Sequence, residues 1–174
     1  LEEWVFHPNV DRWGIPMISV LFVCLGNICR SPMAEAVMRH KVEEGGFADQ
    51  IHVESAGTCD LHVGESPHPG TQERLRAVGI AYDTIRARHL QADDVRRCTY
   101  VVVMDDKNLA DVQKLNDRCK HKVIRFVDLI PDTEHTHVPD PWFTGDFHTT
   151  YQLVEEGCRH LLRRICKEHQ LDLG

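Results

Sequence analysis

The feature that most constrains this chain is residues 18–23 (ISVLFV), apolar at nearly every position and ending against a short loop. A strand with one face in water alternates polar and apolar residues. A run that does not alternate predicts a strand buried on both faces, with helices packed above and below it. The loop holds Gly26. After it, Ser31-Pro32 opens a stretch with Met33, Ala36, Val37 and His40 at helical spacing. Ser31 reads as the N-cap and Pro32 as the first helical residue. Gly45-Gly46 closes the helix.

The same alternation runs down the chain. Residues 51–54 predict a short strand, 56–70 a long loop with three glycines and two prolines, and 71–78 a helix. Residues 91–97 predict a short helix, 100–104 (YVVVM) a second buried strand, 106–116 a helix, 123–127 a last strand and 128–145 a loop. Beyond it, Phe147, Tyr151, Val154, Cys158, Leu161, Leu162 and Ile165 mark one face of a long helix. Buried strands alternating with helices predict a single α/β domain: an open, doubly wound, mostly parallel four-stranded sheet with helices on both faces. Residues 17–174 read as that domain and residues 1–16 as an N-terminal extension, with Met17 a candidate natural start.

Charge and composition remove several function classes. The formal net charge is −7 across 174 residues, which argues against nucleic acid or an anionic membrane as the partner of the whole chain. No apolar run reaches the length of a membrane span, so no membrane insertion is expected. The first residues lack the basic start and apolar stretch of a secretory signal. Seven cysteines, an odd number, then fit a reduced, cytoplasmic setting. Twelve histidines raise the question of a metal, but Cys119-Lys120-His121, His135-Thr136-His137 and Cys158-Arg159-His160 lack paired zinc-type spacing. Neither a metal nor another cofactor is expected.

In an open α/β sheet, ligands bind at the carboxyl ends of the strands, so the chemistry is sought after Val23. The loop reads Cys24-Leu25-Gly26-Asn27-Ile28-Cys29-Arg30-Ser31. It joins a buried strand to a helix N-terminus, where successive amides can form an anion nest. Gly26 and Asn27 tolerate the left-handed turns of such a nest. Arg30 offers a planar fork for two oxygens of a phosphate or similar oxyanion. The nest, the guanidinium and the Ser31 hydroxyl all favour the thiolate of Cys24, the nucleophilic form. A bare Cys-x5-Arg spacing is common by chance; the strand before it and the Ser-Pro helix start after it make this one specific. The nucleotide-binding pattern G-x-x-x-x-G-K-[ST] is absent.

The segment VLFVCLGNICRSPMAEAV resembles the signature of the low-molecular-weight protein tyrosine phosphatases. Glu54-Ser55-Ala56-Gly57-Thr58, Gly79-Ile80 with Ala87-Arg88, residues 101–105 with Asn108, and Asp140-Pro141-Trp142 resemble further motifs of that family, from about Ile18 to the end. The resemblance implies hydrolysis of phosphotyrosine in proteins through a phosphocysteine. Cys24 would be the nucleophile, Arg30 and the amides of residues 25–30 the phosphate clamp, and Asp140 the general acid and then base. Asp140 stands between Pro139 and Pro141, which stiffen its loop. Leu25, Gly26, Asn27, Ile28, Cys29, Ser31 and Trp142 are the expected substrate-binding residues, with Leu61 and Phe143 as further apolar walls.

The resemblance also implies that Asn27, Ser31 and Ser55 hold the loop shape, in a network a family histidine often joins. Ile85 stands at that histidine's place. A cysteine at the Cys29 position can form a disulfide with the nucleophile in the family, shielding it from deeper oxidation. Isoleucine at position 28 goes with phosphotyrosine in related bacterial phosphatases, and threonine there with phosphoarginine. Three alternatives stay open: arsenate reductase on the same fold, a protein-arginine phosphatase, and a phosphate-binding module without catalysis.

Overall fold

The computed structural model describes residues 17–173. The extension expected over residues 1–16 lies outside the described residues. Among the described residues, four strands, β1 (Ile18–Cys24), β2 (Ile51–Gly57), β3 (Tyr100–Val103) and β4 (Val123–Arg125), form one sheet in the order β2-β1-β3-β4. Every neighbouring pair is parallel. Six helices accompany them: α1 (Arg30–Glu44), α2 (Pro69–Ala77), α3 (Ala92–Arg97), α4 (Asp106–Leu115), α5 (Pro141–Thr144) and α6 (Phe147–Glu168). This is the doubly wound α/β sheet that the run at residues 18–23 predicts.

All seven residues of β1 are buried because the strand is central and covered twice. Val20, Phe22 and Cys24 pack with α1, α2 and α6 residues such as Met33, Leu75 and Leu161. Leu21 and Val23 face the other way, with Val95 of α3 and Val112 of α4. Strand periodicity thus divides one short segment between two cores. On the larger side, Phe22 meets the Phe126 ring at 6.3 Å between centroids. Phe126 also lies so close to α6 that a Cβ on Gly157 would sit 2.2 Å from its ring. The glycine is therefore needed for contact, not for flexibility.

Four of the boundaries that differ from the sequence expectation have a plain local reason. β2 runs on to Gly57 because Ser55, Ala56 and Gly57 stay in register with Phe22, Val23 and Cys24. β4 stops at Arg125, and the chain turns through a 3-10 segment, Phe126–Leu129, that delivers Phe126 and Val127 to the core. α2 begins at Pro69, capped by the His68 ring nitrogen, which accepts from the Gly70 amide. Within the expected loop over 128–145, α5 forms behind Asp140 and Pro141 and ends at Gly145, whose φ is 72°.

Candidate active site

Ser31 is not the N-cap of α1. The helix starts at Arg30 with Cys29 as its cap residue and no side-chain cap. The Ser31 hydroxyl lies 2.9 Å from the Cys24 sulfur and accepts from the Asn27 side-chain amide at 2.7 Å. Asn27 adopts φ 57°, the left-handed turn, and its backbone N–H points at the Cys24 sulfur at 3.3 Å. A hydroxyl and an amide therefore converge on the sulfur of Cys24, a residue that is 3% exposed.

The loop is held from outside by its carbonyls. Cys24 O accepts from the Thr58 amide at 3.0 Å, and Leu25 O from Cys59 at 3.0 Å. Ile28 O accepts from His68 at 2.7 Å, and Cys29 O from the Thr71 hydroxyl at 3.1 Å. Close approach here requires Gly57, since a Cβ there would lie 2.8 Å from Leu25 O.

Behind the loop, Asn27 is anchored three ways. Its Nδ2 donates to Ser31 and to Ser55 Oγ (2.9 Å), and its Oδ1 accepts from the Arg88 backbone N–H at 3.0 Å. Ser55 in turn donates to Glu35 Oε1 at 2.7 Å. Ile85 is buried in the apolar core and takes no part. Ser55 and Asn27 take their outer support from Glu35 of α1 and from the Arg88 main chain.

Arg30 is 2% exposed. Its Nη1 donates to Asp105 Oδ2 at 2.8 Å and to the Val138 carbonyl at 3.1 Å, and its Nη2 to Asp140 Oδ2 at 3.3 Å. Both carboxylates cap helices. Asp105 accepts from the Asn108 amide at the start of α4, and Asp140 from the Trp142 amide at the start of α5. Burial pushes the Asp105 carboxyl up, but the Asn108 amide and the Arg30 guanidinium outweigh it and hold it below the usual range. A buried arginine between two fixed carboxylates cannot drift.

The two sulfurs of the loop differ in chemistry. Cys29 is pushed up to about 12, first by burial and then by the negative charge of Cys24 and Asp140. Cys29 is therefore held as the thiol at neutral pH. No disulfide joins Cys24 and Cys29.

Cys24, Arg30 and Asp140 line one cleft. Leu25, Gly26, Ile28 and Cys29 form its near wall, and Leu61, Trp142 and Phe143 its far wall. Asn27 and Ser31 lie beneath it, 1% and 0% exposed, and act on the sulfur through hydrogen bonds. Trp142 stands between two histidine rings, His62 and His68, each 5.7 Å away between centroids. His68 also stacks on Phe147 at 4.9 Å. The acid-bearing turn is thus tied to the loop that carries His62 and His68. Sequence reading missed Cys59 and His62 on the cleft and Glu35 behind it. Glu35 carried a signal: it is a charged residue one turn after Ser31, between Ala34 and Ala36 on a buried helix face.

The sequence profile described as low molecular weight phosphotyrosine protein phosphatase matches residues 19–171. The low molecular weight protein-tyrosine-phosphatase YfkJ of Bacillus subtilis is 43% identical over 156 residues, 89% of this chain and all of that protein. Its crystal structure superposes with a TM-score of 0.86, covering 87% of this chain and 96% of that one. The structure of DARP, a Drosophila arginine phosphatase, is 32% identical with a TM-score of 0.76, covering 83% of this chain and 96% of that one. A match that spans nearly the whole domain, on top of the loop and the cleft it builds, makes this chain a member of the low molecular weight phosphotyrosine protein phosphatase family.

Proposed function

We propose that the protein hydrolyses phosphotyrosine in phosphoproteins by two in-line displacements at phosphorus. The observation that carries this reading is the convergence of the Cys24 sulfur, the buried Arg30 guanidinium and the Asp140 carboxyl on one cleft with apolar walls.

The phosphate seats in the Cys24–Arg30 loop. Its carbonyls are tied outward, which turns the opposite edge of the peptides toward the cleft and supports an amide nest there. The Arg30 fork takes two equatorial oxygens and trades its contact with Asp140 for them. The Cys24 thiolate attacks phosphorus: an S–P bond forms, and the bond from phosphorus to the phenolic oxygen breaks. Asp140 gives its proton to the leaving phenolate. Asp140 then takes a proton from water as that water attacks phosphorus, the S–P bond breaks, and phosphate leaves with the thiolate restored. The chemistry assigned to these side chains needs charge stabilisation and one proton carrier, and Arg30, the amides and Asp140 supply both. A reducing compartment suits a nucleophile that must remain a thiolate.

The walls favour an aryl ester. Ile28, 8% exposed, gives a branched apolar surface beside Leu25 and Trp142 and no hydrogen bond for a guanidinium. The likeness to an arginine phosphatase makes phosphoarginine the second substrate to try. Arsenate reduction through a downstream cysteine is disfavoured, because Cys98 packs in the core on the other side of the sheet from Cys24. The deciding experiment compares turnover of phosphotyrosine, phosphoarginine and phosphoserine peptides and of arsenate with a thiol. Phosphotyrosine is expected to lead by roughly two orders of magnitude in kcat/KM, the scale of discrimination by apolar pocket shape. A lead for phosphoarginine or arsenate would overturn the assignment.

The acid role has its own test. Asp140→Ala is expected to slow phosphotyrosine and unactivated phenyl esters by roughly 10²–10⁴-fold, the usual range for a lost general acid. Esters of very acidic phenols need no proton and should lose far less. Equal losses on both would remove Asp140 from the proton path.

A further inference from the structure

We infer that His68 is a positioning residue for the general acid: by holding the Trp142 ring it keeps Asp140 aimed at the leaving group once Arg30 has exchanged Asp140 for phosphate. The inference rests on the phosphatase reading above.

With no phosphate in the loop, Asp140 is held at both oxygens. Oδ2 accepts from Arg30 Nη2 at 3.3 Å, and Oδ1 from the Trp142 amide at 3.1 Å. Phosphate takes the Arg30 fork, so the first contact goes at the moment the acid is needed. Oδ2 is then the oxygen that carries the proton, and the Trp142 amide stays on Oδ1. Further back the chain is anchored at Val138, whose amide donates to Met104 O at 2.9 Å and whose carbonyl accepts from Arg30 Nη1 at 3.1 Å. Pro141 is buried, and the Pro139 carbonyl lies a long 3.5 Å from the Thr150 hydroxyl. α5 is only four residues long, and Phe143, Thr144, Gly145 and Asp146 are exposed. The aim of the carboxyl therefore follows the residue whose amide it accepts, Trp142.

Trp142 is 53% exposed, yet its ring lies 5.7 Å from His62 and 5.7 Å from His68 between centroids. The two rings are not equally well held. His62 pairs with Glu65, whose own side chain is mostly in solvent. His68 is fixed on every side. Its amide donates to Ile28 O at 2.7 Å, and its Nδ1 accepts from the Gly70 amide at 3.0 Å. Its face stacks on Phe147 at 4.9 Å, and it meets Trp142 nearly at right angles, 79°. An accepting Nδ1 carries no proton, which places the ring N–H at Nε2 and fixes which way round the ring sits. Phe147 is packed so closely on the start of α2 that a Cβ on Gly70 would run into its ring. Ile28 belongs to the nucleophile loop and Trp142 to the acid turn, so one residue refers both to the same frame. His68 lines no wall of the cleft and acts on the reaction by position alone. Any side chain at 68 keeps the amide on Ile28; the hold on Trp142 needs the ring.

The test compares kcat/KM on phenyl phosphate, whose leaving oxygen needs a proton, with dinitrophenyl phosphate, whose leaving oxygen does not. His68→Asn keeps an acceptor for the Gly70 amide and removes the ring. It is expected to lower the ratio of the two values about tenfold, the order of one aromatic contact, with dinitrophenyl phosphate within about twofold of wild type. Trp142→Ala, at an exposed position, should lower the same ratio from the other side of the contact. His68→Phe keeps the ring and loses the cap, so it should melt lower and hold the wild-type ratio. Adding His68→Asn to Asp140→Ala should leave that variant's ratio where it is, since no acid is left to aim. A ratio unmoved by His68→Asn or by Trp142→Ala overturns the inference. So does an equal loss on both esters, which damage to the fold or to the nucleophile loop would give, and so does a Phe variant whose ratio falls as far as that of the Asn variant. If the wild type hydrolyses neither ester, the phosphatase reading itself fails; wild-type turnover with an unmoved ratio sinks the inference alone.

Discussion

Cys24→Ser should abolish turnover of phosphotyrosine peptides, with kcat falling at least roughly ten-thousandfold, because removing a nucleophile leaves only binding and electrostatic assistance. Binding should survive. A serine hydroxyl fills the same place below the cleft without the thiolate charge, and Arg30 and the loop peptides are untouched. The affinity for a phosphotyrosine peptide, measured by calorimetry, is expected to stay within about tenfold of wild type or to tighten, since a negative charge facing the phosphate is gone. Mass spectrometry of wild-type protein quenched during turnover should find phosphate on the peptide that carries Cys24. Retained activity in the serine variant, or phosphate trapped on Cys29, would remove the sulfur from its assigned role. The second outcome is the sharper one. Cys29 sits in the same loop, and burial beside the Cys24 and Asp140 charges pushes it up to about 12.

The second large effect is expected at Arg30. Arg30→Lys keeps the charge and loses the fork. One ammonium cannot hold Asp105, the Val138 carbonyl and two phosphate oxygens in the geometry that the guanidinium provides. We expect kcat/KM to fall by roughly 10²–10³-fold, the scale for losing a preorganised oxyanion donor, and Arg30→Ala to fall further. The alanine variant also leaves Asp105 half-buried without its cation. Burial, the larger influence on that carboxyl, then acts with less opposition, so its pKa should rise. NMR titration of a 13C-labelled Asp105 carboxyl would register the change. In the wild type the folded-state pKa is depressed, so Asp105 contributes stability above its unfolded pKa that is lost as pH falls through the folded one. The alanine variant should show a flatter loss of stability in acid. Kinetics indifferent to lysine would mean that charge alone suffices and that the fork has no role.

Several elements were legible without coordinates because their causes are local. A non-alternating run at residues 18–23 predicts a covered strand, and it became an interior strand of the sheet. Steps of three and four from Phe147 onward became α6. The Cys24–Arg30 loop was readable because Gly26, Asn27 and the strand-to-helix change sit within a few residues. Errors fell where a residue's partner is distant in sequence. Ser31 has the look of a helix cap, yet the Cys24 sulfur and Asn27 claim its hydroxyl. Residues 126–127 continue the β pattern, yet the gap between Phe22 and Gly157 draws Phe126 out of the strand.

The sequence by itself determined which side chains are on offer for the proposed chemistry: a cysteine, an arginine and an aspartate, each with its own stiff segment of backbone. Tertiary structure alone decided how they are aimed. Arg30 and Asp140 are separated by more than a hundred positions along the chain and share a hydrogen bond only because the loop after β1 and the turn before α5 meet at the carboxyl ends of β1 and β3. The hydrogen bonds that run from Glu35 through Ser55 and Asn27 to Ser31 join α1, β2 and the loop after β1 in the same way. Residue identity is covalent and local. The direction of a hydroxyl proton depends on every acceptor that packing brings within reach, and that set exists only once the chain has folded.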